Sequence, residues 1–242
     1  MKNLVLFLTV ITCATQLNAQ LTGLGVRPVL SLSTYKLTRD FNDIYDANMR
    51  PGGGISAFAE FNLGNRFTFQ PEIAFMQRGG NLSSESSVYW DGPDFGYPEG
   101  YRVIDLKQKE SLNYLDIPLM FEKNFGGGNI GAYVAVGTTF SFAVANGKGL
   151  EERLVEYPAS DGTINTRIDR SEYEIEMGSG RNDDYKAYDF GLNLGTGLTV
   201  ILERGELSFD VRYVHGLRSV DVGSLKNRNL QIGLSYMYYI GQ

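Results

Sequence analysis

Hydrophobic and polar residues alternate with a period of two in eight separate stretches of this sequence. At the C-terminus, every second residue from Leu230 to Ile240 is apolar or aromatic, and Gln231, Gly233 and Ser235 lie between them. A period of two places successive side chains on opposite faces of a β-strand, so each stretch predicts a strand with one apolar face. The stretches are residues 24–33, 55–63, 67–75, 114–122, 130–142, 188–200, 206–213 and 230–240.

The connections between these predicted strands alternate between short and long. Outer-membrane β-barrels show this asymmetry, with short periplasmic turns and long extracellular loops, and their tilted strands need roughly ten residues to cross the hydrocarbon core. The sequence therefore predicts an all-β fold, a closed antiparallel eight-stranded transmembrane β-barrel. The short turns are predicted at 64–65, 124–129 and 203–205, and the long connections at 37–51, 80–109 (loop two), 146–185 (loop three) and 218–227.

Three prolines fall inside predicted strands, at Pro28, Pro71 and Pro118. A proline cannot donate a hydrogen bond to the neighbouring strand, and strands often accommodate it at a bulge. We therefore expect β-bulges at these three positions.

The two faces of the predicted strands differ in chemistry. One face is apolar, with aromatic residues near both strand ends, as in the aromatic girdles of membrane barrels. The other face carries charges whose burial in an apolar core would cost several kcal/mol each unless they are paired. In a narrow barrel of this size we expect them to fill the lumen as a hydrogen-bonded network. The predicted lumen residues are Arg27, Glu60, Glu72, Asp116, Glu122, Asp189, Asp210 and Arg212.

Alternation alone does not say which face points inward. A soluble periplasmic barrel of the lipocalin type would place the apolar face inside, around a ligand, and the charges outside. The sorted loop lengths and the aromatic strand ends favour the membrane barrel, and the soluble ligand-binding barrel is the alternative.

The N-terminus has the pattern of a secretory signal peptide. Lys2 is followed by an apolar segment at 4–14 and by small residues before Gln20, which predicts a cleaved signal at 1–19 and a barrel domain at 20–242. The apolar segment is too short for a membrane-spanning helix. The single cysteine, Cys13, lies within it, so a cleaved chain would have no thiol chemistry.

The formal net charge is −6, and the charges form no basic cluster, which argues against nucleic-acid binding. The composition of 29 Gly, 15 Tyr and 14 Phe is typical of many strands and turns. The single histidine, His215, leaves no set of histidines to hold a metal ion. We predict no cofactor.

Two segments carry a resemblance to a known family. Residues 113–121, Asn-Tyr-Leu-Asp-Ile-Pro-Leu-Met-Phe, and residues 209–217, Phe-Asp-Val-Arg-Tyr-Val-His-Gly-Leu, resemble stretches of the PorT-type outer-membrane β-barrel proteins of Bacteroidetes. The resemblance implies an exported eight-stranded barrel in the cell outer membrane, mostly without assigned biochemistry. PorT itself is tied to type IX secretion, but these motifs are structural and do not carry that role over. We expect contacts with outer-membrane lipid and lipopolysaccharide, and insertion by the barrel-assembly machinery.

Loop two contains aromatic residues among glycines and prolines. Such residues can form a surface that binds a protein or a glycan, or they can pack the loop onto itself or the rim. We expect a partner site at loops two and three. The aromatic residues are Tyr89, Trp90, Phe95, Tyr97 and Tyr101.

Loop three has ten acidic residues against five basic ones. Its spacing matches no known Ca²⁺ loop, so a solvated charged loop is the simpler interpretation. His215, with Ser219 and Asp221 nearby, could serve a hydrolase at the barrel rim, but the sequence shows no spacing that pairs a nucleophile with a base. We therefore predict a non-enzymatic barrel with a structural or surface-interaction role.

Overall fold

A computed structural model of the chain describes residues 20–37, 45–84, 88–89, 100–178, 180, 183–221 and 225–240. The predicted signal peptide at 1–19, with Cys13, lies outside these residues. The strands are β1 (Gln20–Lys36), β2 (Asp46–Asn48), β3 (Arg50–Gly64), β4 (Phe67–Ser84), β5 (Val88–Tyr89), β6 (Arg102–Gly126), β7 (Ile130–Ala143), β8 (Gly147–Pro158), β9 (Ile164–Ile175), β10 (Met177–Gly178), β11 (Tyr185–Lys186), β12 (Tyr188–Leu202), β13 (Gly205–Gly216) and β14 (Lys226–Tyr239).

Eight of these strands form a closed antiparallel ring. Each pairs with the next ring strand along the chain, in the order β1, β3, β4, β6, β7, β12, β13 and β14. The ring closes where β14 pairs with β1, for example Leu24 opposite Tyr238. All eight predicted strands are present, so the predicted fold class is confirmed. Within the described residues, no helix is both long and apolar enough to cross a membrane.

The structure decides which face points inward. Leu194 is 62% exposed on the outside of the ring, whereas Arg212 is 4% exposed inside it. The soluble ligand-binding barrel requires the opposite orientation and is therefore excluded. The exposed apolar residues form a belt over residues 24–32, 53–61, 67–75, 115–123, 130–142, 188–200, 207–213 and 230–238 of the ring strands.

Aromatic side chains lie at both edges of this belt. Phe69 and Phe121 are in contact near the short turns, with ring centroids 4.9 Å apart. Phe140 and Phe190 are in contact near the other edge, at 5.0 Å. Rings at the two edges suit the boundary between hydrocarbon and head groups.

The three short connections lie at one end of the ring, which we call the short-turn end. At the β3–β4 turn, Gly64, Asn65 and Arg66 have φ angles of 84°, 52° and 66°. This left-handed backbone reverses the chain between the two strands. The other short turns lie at 127–129 and 203–204, close to their predicted positions.

The long connections at the opposite end contain more regular structure than expected. Beyond the apolar belt, β4 and β6 continue to pair as far as Ser84 opposite Leu106. β8 pairs with this extension of β6, β9 pairs with β8, and β2 pairs with the end of β4. The long connections predicted at 80–109 and 146–185 therefore contain β-strands over much of their length. We call the resulting five-stranded extension, β2-β4-β6-β8-β9, the surface sheet.

The expected bulges at the prolines are also wrong. The β1–β14 and β4–β6 registers are unchanged on either side of Pro28, Pro71 and Pro118, so the ladder tolerates each proline without an inserted residue. Register shifts occur instead between Leu21 and Gly23 and between Asn62 and Gly64, near the short-turn end, and between Val103 and Asp105 in the surface sheet.

Candidate functional site: the charged lumen and the surface sheet

The middle of the lumen holds a buried network around two arginines. Arg27 Nη1 donates to Asp210 Oδ1 at 2.8 Å, and its Nη2 lies 3.7 Å from Glu72 Oε2. Arg212 pairs with Glu72, and its Nε lies 3.2 Å from Asp210 Oδ1. Glu122 lies at the edge of this network, because its Oε1 is 3.8 Å from Arg212 Nη2. The alternation of β1, β4, β6 and β13 brings these five predicted residues together.

Two neutral side chains also join this network. Gln231 Oε1 accepts from Arg27 Nη2 at 3.2 Å, and Gln70 Oε1 accepts from Arg212 Nη2 at 3.1 Å. Each guanidinium therefore has both carboxylate and amide partners, which a buried charge requires.

The other predicted lumen residues lie in separate places. Asp116 pairs with Arg78, whose Nη1 also donates to Ser141 Oγ at 3.1 Å. Asp189 accepts from Asn227 Nδ2 at 2.8 Å, nearer the long-loop end. Glu60 joins neither group. It lines a cavity at the short-turn end.

Sequence reasoning missed Arg78, which is 2% exposed. The apolar pattern of its strand stops at Phe75, and it therefore predicts the end of the strand there. Glu72, Ala74 and Met76 point inward, and the same alternation continued two residues further places Arg78 in the lumen beside Asp116. The alternation of inward and outward side chains along the strand was the signal that could have identified Arg78.

An apolar cluster with one carboxylate in it lies toward the long-loop end of the ring. Glu110 accepts from Tyr185 at 2.6 Å and from Tyr173 at 3.3 Å. Burial raises the pKa of Glu110, and the hydrogen bonds from the tyrosines oppose part of that rise. Packed residues bury this carboxylate. The buried members of the cluster are Tyr35, Leu37, Leu82, Leu112, Tyr114, Ile175, Tyr185, Val220 and Leu225.

The surface sheet presents loop three as a β-hairpin. Val155 is fully buried on the inner face, opposite Val103. The outer face exposes Ile164 and Ile168, which are 65% and 57% accessible. Arg170 Nε donates to Glu152 Oε2 at 2.7 Å across the same hairpin. β9 is the last strand of the sheet, so one of its backbone edges pairs with no described strand.

The loop-two aromatics are only partly described. Tyr101 is 1% exposed, so it packs into the structure rather than presenting a free ring. Tyr89 lies in β5, which pairs with the start of β6. Trp90, Phe95 and Tyr97 lie outside the described residues.

The structure gives no support for a hydrolytic arrangement at His215. Its ring lies beside Tyr213, with centroids 6.1 Å apart. Asp221 instead accepts from the backbone of Leu225, and the carbonyl of Ser219 accepts from Lys186. Over the described ranges, no three His, Cys, Asp or Glu side chains are grouped so that they could hold a metal ion.

A family comparison decides what kind of barrel this is. Residues 18–222 match the model of the family described as outer membrane protein beta-barrel domain. The chain belongs to this family. Family membership assigns the barrel to the outer membrane, so the short-turn end faces the periplasm and the surface sheet faces outward.

Solved outer-membrane proteins resemble this family member only distantly. Neisserial surface protein A matches with 10% identity and a TM-score of 0.42, over 90% of this chain and 97% of that one. Ail, the attachment invasion locus protein of Yersinia pestis, matches with 13% identity and 0.41, over 90% and 99%. The outer membrane protease OmpT from Escherichia coli matches with 9% identity and 0.42, over 93% and 97%. A search of curated protein sequences gives no significant match.

Proposed function

We propose that this protein is a non-enzymatic outer-membrane barrel that presents the surface sheet to a partner outside the cell. The observation that carries the proposal is the β8–β9 hairpin, whose outer face exposes Ile164 and Ile168 above the apolar belt. Exposed apolar residues framed by charges are typical of interaction surfaces. The partner is a protein or a glycan bound at loops two and three, where Trp90, Phe95 and Tyr97 would add aromatic contacts.

The barrel wall serves as the anchor in this proposal. The belt contacts outer-membrane lipid and lipopolysaccharide, and the barrel-assembly machinery inserts the chain after a signal peptide at 1–19 has been removed. The lumen is closed to solutes by the arginine network and by the apolar cluster around Glu110. The motifs at 113–121 and 209–217 support a narrower placement among the PorT-type proteins of Bacteroidetes, without a role in secretion.

Site-specific photocrosslinking in cells tests the surface role. A photoreactive residue replaces Ile168 on the hairpin, and a second variant carries it at Leu194 on the lipid-facing wall as the control. We expect a discrete crosslinked species from position 168 and only lipid adducts from position 194. Identical products from both positions, in protein that is correctly inserted, would contradict a surface partner.

A further inference from the structure

Four basic side chains lie together on the outside of the barrel wall, at the end that faces away from the periplasm. Across the β13–β14 pair, His215 lies opposite Arg228, and across the β14–β1 pair, Lys226 lies opposite Lys36. Directly opposed side chains have their Cβ atoms roughly 4.5–5.5 Å apart. Successive residues on one face of a strand, such as Lys226 and Arg228, are about 7 Å apart. The four groups are therefore neighbours, and we call them the basic patch.

The basic patch lies immediately above the apolar belt. Its members occupy outward-facing positions of β1, β13 and β14, two to four residues beyond the edge of the belt. This corresponds to about 7–14 Å along the strands. The strands of such barrels are tilted by roughly 35–45°, so the height above the belt is somewhat less. The patch is therefore at the level of the lipid head groups on the outer side of the membrane.

No acidic side chain among the described residues compensates this patch. Lys36, Lys226 and Arg228 form no ion pair with a described carboxylate. Desolvation, followed by the positive charges of the three other patch residues, lowers the pKa of His215. Like charges directly opposite each other destabilise a sheet, and Lys226 opposite Lys36 is such a pair. The position therefore favours an anion from outside the chain.

Arg228 is held in a fixed place on the wall. Its Nη1 donates to the backbone carbonyls of Gly216 and Asn227, both at 2.8 Å. Its Nε and Nη2 donate to no described residue, so they are available to a ligand. A guanidinium with free N–H donors suits the oxygens of a phosphate group, and the two lysines add further donors beside it.

The surroundings of the patch indicate that the anion belongs to a lipid. Tyr213, at the upper edge of the belt, is 39% exposed on the same outer face. Leu32 and Leu230 lie opposite each other at the same edge and provide apolar surface for an acyl chain. On the other side of the patch, Arg218 lies over the ring of Tyr188 at 3.6 Å and adds a fifth basic residue. A ligand that joins acyl chains to phosphate would contact both layers, whereas a soluble anion would contact only the upper one.

We propose that the basic patch binds a phosphate group of lipopolysaccharide, with Arg228, Lys226 and Lys36 as the residues that hold it. The acyl chains of the same molecule lie against the belt below. The inference rests on the part of the proposed function that places the belt in contact with lipopolysaccharide, and it does not depend on a partner at the surface sheet. It assigns the lipid to one side of the ring, formed by β13, β14 and β1.

Titration of the purified barrel in a nonionic detergent tests the site, with bisphosphorylated lipid A as the probe. His215 is the only histidine of the chain, so in protein without a histidine tag its imidazole resonances report on the patch. We expect saturable shifts and a rise in the pKa of His215, because the phosphate offsets the positive charge around the ring. The double variant Lys36→Gln, Lys226→Gln should bind at least about tenfold more weakly. Lys109→Gln removes an exposed lysine from the surface sheet and should leave the affinity unchanged, and equal weakening by the two proteins would overturn the proposal.

Two further probes separate the phosphate from the lipid. Lipid A from which both phosphates have been removed should leave the His215 resonances unshifted, and inorganic phosphate should bind far more weakly than bisphosphorylated lipid A. Equal binding of lipid A with and without phosphates would overturn the phosphate assignment. Equal affinity for inorganic phosphate would overturn the lipid assignment.

Thermal unfolding without lipid separates ligand binding from a structural role of the lysines. Lys226→Gln removes one member of a like-charge pair, so without lipid it should be at least as stable as the unchanged barrel. Bisphosphorylated lipid A should then raise the unfolding temperature of the unchanged barrel more than that of the variant. A variant that is less stable without lipid, and stabilised equally by lipid A, would overturn the assignment. Photocrosslinking from position 168 does not report on this site, so the two proposals can fail separately.

Discussion

At the residue scale, the stability of the barrel depends on the ion pairs and hydrogen bonds that compensate its buried charges. Arg212 is the clearest case, because Glu72, Asp210 and Gln70 all contact its guanidinium. Those contacts join β4 to β13, which are far apart in the sequence. A removed arginine would leave two carboxylates with only Arg27 to compensate them.

Replacement of Arg212 by Met should therefore destabilise the folded barrel by about 3–5 kcal/mol, since it leaves buried negative charge unpaired. Denaturant unfolding in detergent micelles measures the loss. Arg204→Met removes an exposed arginine from a periplasmic turn and should change little. The double variant Arg212→Met with Glu72→Gln should recover part of the loss, and equal stability of Arg212→Met and Arg204→Met would refute the assignment.

Burial of Glu110 should make the stability of the apolar cluster at the long-loop end depend on pH. Its pKa is raised by burial, so the folded state binds the proton more tightly than the unfolded state does. The stability that protonation provides is present at low pH and lost as pH rises through the raised pKa. Hydrogen exchange of the Tyr185 region, corrected for intrinsic rates, should slow as the pH falls through the raised pKa of Glu110. Glu110→Gln should abolish this dependence, and an unchanged profile in that variant would count against it.

The hydroxyl of Tyr185 should stabilise the same apolar cluster. Tyr185→Phe removes a 2.6 Å hydrogen bond to the Glu110 carboxylate. We expect a local destabilisation of about 1–3 kcal/mol, measured as faster exchange around residue 185. Tyr157→Phe removes a hydroxyl of the β8–β9 hairpin that has no hydrogen bond to a described residue, and it serves as the control.

At the element scale, the surface sheet and the ring differ in how many of their strands are paired on both sides. Each ring strand is paired on both sides, whereas β9 is paired only with β8. Edge strands that persist in water usually carry charges that discourage aggregation, and β9 has Arg167, Asp169, Arg170, Glu172 and Glu174. We therefore expect the hairpin to open without unfolding the ring.

Val155→Asp tests this independence. A carboxylate at this fully buried position would cost several kcal/mol and should open the hairpin. Trypsin should then cut near Arg153 and Arg167, while the ring keeps its heat-modifiable migration on a detergent gel. Thr166→Asp places the same charge at an exposed position and should stay resistant. Loss of heat-modifiable migration in Val155→Asp would show that the ring needs the hairpin.

At the scale of the whole molecule, ring closure and lumen filling act together. An eight-stranded ring leaves an interior just wide enough for side chains, and here arginines, carboxylates and amides occupy it. The purified protein should therefore show no large steady conductance in planar bilayers, in contrast to a porin measured in the same way. A stable open channel would contradict the closed lumen in the proposed function.

How much of the fold the sequence predicts depends on whether a feature is determined by local alternation or by contacts between distant strands. The position of Glu72 and Arg212 on the polar faces of their strands followed from alternation, because successive side chains of a strand point to opposite faces. Their pairing with each other did not, since it depends on the order and stagger of strands distant in sequence. Arg78 and the strands of the surface sheet were missed because outside the belt no lipid imposes the apolar period.

The sequence by itself determined the eight ring strands, the apolar and polar faces of each strand, and the alternation of short and long connections. A membrane requires an apolar outer face and a closed ring, and both requirements leave a local pattern in the chain. Only the tertiary structure decided that the charges point inward, that loop three is a hairpin on β6, and that Glu60 lies apart from the arginine network. These features arise from contacts between segments that are distant in the sequence, and such contacts leave no periodic pattern in either segment.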